Sequence, residues 1–142
     1  MQREIYPPPA GPPDVERPNP DIYAQMADDG IRRMIHRFYE RLYASSISNL
    51  FVDDLHASAD RSADYFVQIL GGPALYQEKY GHPRLRSRHT PFVITEESRK
   101  VWLGCFDATL ANAPDEFGFP EAHLPGFRNF LDAFSSWMVN SA

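Results

Sequence analysis

GGPALYQEKYGHPRLRSRHTPFVITEESRKVWLGCF, residues 71–106, decides between helix and strand for the whole chain. Gly71-Gly72-Pro73 ends a helix, because glycine supplies a left-handed cap and proline prevents continuation. A short helix follows from Ala74 to Tyr80, and Gly81 stops it. Pro83 can begin another turn or two, and Pro91 forces His89-Thr90 toward extended geometry at its end. Thr95, with Glu96 and Glu97 behind it, is a helix N-cap with acid in the first turn. The helix it opens carries Trp102, Cys105, Phe106 and Leu110. Arg-Leu-Arg-Ser-Arg-His alternates, but neither of its sides would make a buried strand face. The stretch reads as helices joined by turns, and the chain as all-α.

The flanks agree. Ala59, Ala63, Phe66, Val67 and Leu70 share one side of a helix expected over Ala57–Leu70. Ser58 and Ser62 border that face. Further upstream, Ile31, Met34, Ile35, Phe38 and Leu42 recur at spacings of three and four. Asp28 and Asp29 suit the start of this helix, which should run to about Ala44. Tyr39 lies beside the stripe, so its ring can reach the core while its hydroxyl seeks a partner. Downstream, Asn112 to Leu124 is expected to be a loop, with Pro114, Gly118 and Pro120. The last helix opens near Pro125 and carries Phe127, Phe130, Leu131, Phe134, Trp137 and Met138. Seven of the 13 prolines precede residue 21, so residues 1–20 form an arm expected to be extended or disordered, and 21–142 the folded domain.

Composition narrows the classes of function. The 142 residues suit one domain, with 43% hydrophobic and 23% charged residues. A net charge of -5 argues against general nucleic-acid binding, which draws on clustered positive charge. No apolar run approaches the ~20 residues of a membrane span. No export signal opens the sequence, and the single Cys105 cannot form an internal disulfide; both fit a cytoplasmic setting. Phosphate-loop, dinucleotide, GxSxG and HExxH patterns are absent. Cys105 reads as an inert core residue, and the five histidines are scattered.

One histidine stands out. His89 follows Arg86 by three residues and Leu85 by four, so a short helix would put them on one face. A histidine presented from such a segment into an aromatic cavity can be the single axial ligand that haem asks of a protein. The nearby arginines would then pair with its two propionates. The competing reading is a surface histidine in a basic loop.

The same run resembles the signature region of the truncated haemoglobins, specifically their second group. GGP-x-x-Y, GHPRLR-x-RH-x-PF-x-I and W-L-x-C agree in order and spacing, and RFYERL, residues 37–42, resembles the second helix of that family. The resemblance covers roughly residues 25–140 and implies a two-over-two helical globin holding haem b. It implies His89 as the proximal ligand. Trp102 and Tyr39 match the distal donors. Phe51 falls on the residue that packs on the haem edge, and Ser58 and Ser62 fall on the distal-helix positions nearest the ligand. Arg88 and Tyr76 match propionate-holding residues, while Phe66, Leu85, Phe92 and Ile94 would line the haem. The function implied is reversible binding of dioxygen, with NO or CO as further ligands, for transport, storage or sensing. The alternative is a haem enzyme carrying out NO dioxygenation or peroxidase-like turnover with an external reductase, so the enzyme question stays open. A third reading is a helical interaction module without haem. No membrane or nucleic-acid partner is expected, and the protein should be a monomer or a weak homodimer.

Overall fold

The computed structural model describes residues 17–84, 89 and 92–141. The first helix, α1, runs Asp21–Tyr43. Its start is set by Asn19, whose Oδ1 accepts from the Asp21 N–H at 2.9 Å, a local bond that satisfies one orphan donor of the first turn. The element breaks at Ala27, where φ is 57° and ψ -178°. Asp28 and Asp29 lie just past the break and pair one turn on with Arg32 at 2.6 Å and Arg33 at 3.0 Å. The apolar pattern located this second part of α1 and missed the first, Asp21 to Met26, which buries only Ile22 and Met26 and is too short to show a period.

Helix α2 spans Leu55–Ile69, capped by Asp54, whose carboxylate accepts from the His56 N–H at 2.9 Å. Gly71 ends it with φ at 111°, and a Cβ there would lie 2.6 Å from Pro20, so the chain entering α1 packs directly on this turn. Helix α3 covers Leu75–Tyr80. Helix α4, Glu96–Leu110, opens at Thr95, whose hydroxyl accepts from the Ser98 N–H at 3.1 Å. Residues 112–124 differ from the expected loop. They hold a short helix, α5 (Ala113–Phe117), and a 3-10 turn over Glu121–His123. Pro114 sits in the first turn of α5, where a missing N–H costs nothing, and Gly118 closes it at φ 72°. The proline and glycine that suggested a loop are the start and stop of a helix. Helix α6 is Leu124–Met138.

No strand occurs among the described residues. Helix α1 crosses α2, α4 packs along α6, and α1 also lies on α4, which makes a two-over-two sandwich. The layers meet at phenylalanines. Phe38 of α1 stacks on Phe106 of α4 at 3.9 Å, and Phe66 of α2 meets Phe106 and Phe127 edge-on at 5.6 and 6.1 Å. Each of these buried rings contributes about 1.5–3 kcal/mol from the area it removes from water. Gly30 lets α5 approach α1: a Cβ there would lie 2.8 Å from the Phe117 carbonyl oxygen.

Candidate functional site

Between the helix pairs lies a cavity of about 460 Å³, a size common for small-molecule and cofactor sites. Its walls come from every long helix. Tyr39 is contributed by α1, and Ser58, Ser62 and Phe66 by α2. Tyr76 comes from α3 and Trp102 from α4; His89, Phe92 and Ile94 come from the segment between those two helices, and Phe51 from the turn before α2. The structure thus brings together all ten of the candidate residues that it describes. Arg88 and Leu85 lie outside the described residues.

The polar groups on the wall form an ordered set. Tyr39 is packed edge-on against Phe38 at 5.5 Å and Phe51 at 5.9 Å. Burial pushes its phenol above the usual range, opposed in part by a hydrogen bond with Ser62. Tyr39 is therefore a neutral hydroxyl at physiological pH, with a serine one helix away beside it. Ser58 is engaged in a similar way. The Tyr43 hydroxyl lies 2.7 Å from the Asp53 carbonyl oxygen and 2.8 Å from Ser58 Oγ, so it donates to the first and accepts from the second. Trp102 is gripped by Phe38 at 5.4 Å, Phe106 at 5.2 Å and Phe134 at 6.2 Å. None of these apolar rings can accept an in-plane hydrogen bond from its Nε1–H. His89 is the one imidazole among the lining residues.

Residue-by-residue reading missed part of the wall. Tyr65 and Arg61 of α2, Arg99 of α4, and Phe134 and Met138 of α6 also face the cavity. Burial raises the Tyr65 phenol to about 12, and its ring stacks on Phe134 at 6.0 Å and meets Tyr76 edge-on at 5.8 Å. The two arginines already hold acids. Arg61 pairs with Asp53 at 2.7 Å, and Arg99 binds Glu96 at 2.7 Å, Asp132, and Ser135 Oγ at 3.1 Å. Helical spacing carried the signal: Arg61 and Tyr65 flank Ser62, and Arg99 precedes Trp102 by three residues. Cys105 does not line the cavity, and burial raises its thiol above the ordinary range, as for an inert residue. Among the described residues no helix is long and apolar enough to cross a membrane.

Comparison with known proteins gives a consistent answer. Residues 21–135 match the family model described as bacterial-like globin. The chain is 38% identical over 97 residues to group 2 truncated hemoglobin YjbI of Bacillus subtilis, covering 68% of this chain and 70% of that protein. It is 34% identical over 85 residues to two-on-two hemoglobin-3 of Arabidopsis thaliana, covering 55% of this chain and 47% of that protein, less than half its length. Among solved structures, phosphate-bound Hell's gate globin IV superposes with a TM-score of 0.82 at 31% identity, over 90% of this chain and 79% of that one. The group II truncated hemoglobin of Bacillus anthracis superposes with a TM-score of 0.76 at 32% identity, over 87% of this chain and 92% of that one.

Proposed function

The chain belongs to the bacterial-like globins, as a truncated haemoglobin of the second group, and on that premise we propose that it binds dioxygen reversibly at a haem b held by His89. A globin of this family is a haem protein. Haem would supply an iron able to take a diatomic ligand and would ask one imidazole of the protein, which His89 would provide. The cavity suits that division of labour: one imidazole and an aromatic lining. The b type is what the resemblance to the truncated haemoglobins implies, and the single cysteine, away from the cavity, agrees with it, since covalent attachment through C-x-x-C-H requires two thiols.

The observation that carries the reading is the convergence of His89, Tyr39 and Trp102 from three separate elements on one cavity. Tyr39 Oη–H and Trp102 Nε1–H are the donors for a ligand that gathers partial negative charge. Phe38 and Phe51 pack the first, and the phenylalanines around Trp102 fix the second. Phe51 packs on Tyr39 without adding a donor of its own. Arg88 and Tyr76 are assigned to the propionates, and Phe66, Leu85, Phe92 and Ile94 to the faces of the ring.

The visible spectrum of the purified protein is the direct test. A Soret band that shifts on adding dioxygen or CO to the reduced protein is expected, and His89→Ala should abolish stable haem incorporation. A normal Soret band in His89→Ala would remove His89 from this role.

A further inference from the structure

We propose that Asn140, beyond the end of α6, is a positioning residue that sets the backbone from which His89 is presented. The proposal rests on the reading of His89 as the axial ligand. Asn140 is fully buried. Helix α6 stops at Met138, and Val139 turns extended at φ -60° and ψ 125°, which carries residue 140 onto the 89–94 segment.

Each valence of the Asn140 side-chain amide is used. Its Nδ2 donates to the His89 carbonyl oxygen at 3.2 Å and to the Phe92 carbonyl oxygen at 3.0 Å. Its Oδ1 accepts from the Ile94 N–H at 3.0 Å and from Ser141 Oγ at 3.1 Å. Two backbone bonds close the same contact: Asn140 N–H and Ser141 N–H donate to the Ile94 carbonyl oxygen at 3.0 and 3.1 Å. The His89 carbonyl also accepts from the Phe92 N–H at 3.0 Å, so both its lone pairs are held.

This pattern selects asparagine. The group must offer two donors to two carbonyls and an acceptor to an N–H from one planar unit. Aspartate has nearly the same shape but would point oxygen lone pairs at the His89 and Phe92 carbonyls. Leucine would take the Asn140 bond from the Phe92 carbonyl and the Ile94 N–H and leave the His89 carbonyl with one of its two bonds. Phe92 and Ile94 line the cavity beside His89, so the same amide fixes the imidazole's root and two wall residues together. Asn140 acts on the site through the backbone and does not line the cavity.

The test uses the intact holoprotein. Haem loss is timed by transfer to excess apomyoglobin, and the iron–histidine stretching band of the ferrous protein is read by resonance Raman. Ile31→Ala, a core truncation away from the cavity, controls for general destabilisation. Asn140→Asp and Asn140→Ser should lose haem faster than Ile31→Ala by about tenfold, the scale of losing one to two net hydrogen bonds, and should move the band. Should Asn140→Asp not fold, Asn140→Ser decides. Haem loss no faster than in Ile31→Ala, with the band unmoved, overturns the proposal. His89→Gly, tested with and without added imidazole, separates the two claims. If its band and haem retention match wild type, the reading of His89 fails. If imidazole restores them while the Asn140 variants stay silent, only the role of Asn140 fails.

Discussion

Tyr39 and Trp102 differ in how their donors are prepared. The phenol is kept neutral by burial and packed between Phe38 and Phe51, while the indole is oriented by three rings. In each case the side chain is restrained before any ligand arrives, so little ordering entropy opposes the hydrogen bond it would make. Trp102→Phe keeps the apolar packing and removes the donor. It should raise the dioxygen dissociation rate by one to two orders of magnitude, matching ~1.5–3 kcal/mol for a hydrogen bond to a charged acceptor. Stopped-flow measurement decides, and an unchanged rate would take Trp102 out of this role. Both residues were legible in the sequence because helical spacing and their place in a specific motif coincide. Tyr43 was not. Its use depends on Ser58 and Asp53 arriving from beyond the next turn, and no local pattern encodes that meeting.

At the scale of the element, α1 is the informative case. Ala27 occupies a region of backbone space that suits glycine, with φ 57° and ψ -178°, at a cost of about 1–3 kcal/mol. The break reorients the chain, so that Ile22 and Met26 on one side and Ile31, Met34 and Phe38 on the other all reach the same core. Ala27→Gly relieves the Cβ clash and adds unfolded-state entropy of about 0.5–1 kcal/mol. The balance favours glycine, and a stability gain of about 1 kcal/mol is expected in urea unfolding; a loss of that size would show that the break is not strained. The same element shows the limit of pattern reading. An apolar period finds a helix of several turns, whereas the short segment before the break and α5 are held by single caps and by neighbours.

For the molecule as a whole, Asp64 joins three helices. Its side chain, only 1% exposed on α2, accepts from Arg32 of α1 at 2.6 Å and from Lys79 of α3 at 3.0 Å. Burial alone would raise its carboxyl, but the bonds from Arg32 and Lys79 reverse this and hold it below the usual carboxylate range. A depressed folded value means that the stabilisation is present above the unfolded carboxylate range near pH ~4 and is lost as pH falls through the folded value. Asp64→Asn should cost about 2 kcal/mol at neutral pH, since its two cations keep contact with water and are not stranded as bare buried charges. The gap between variant and wild type should close in acid below about pH 4, and thermal melts across pH would reveal a gap that persists there. Since α3 carries Tyr76, this network also docks one wall of the cavity. The amino-acid sequence alone determined the helical class, most of the element ends and ten of the residues that line the cavity, because those follow from periodicity, caps and a dense local motif. Only the tertiary structure decided that Asn140 clasps the segment bearing His89, that Asp64 ties α3 to α1, and that Tyr65, Arg61 and Arg99 share the cavity. These are contacts between side chains distant in sequence, and which hydrogen-bond groups meet across such distances is set by the packing of whole helices.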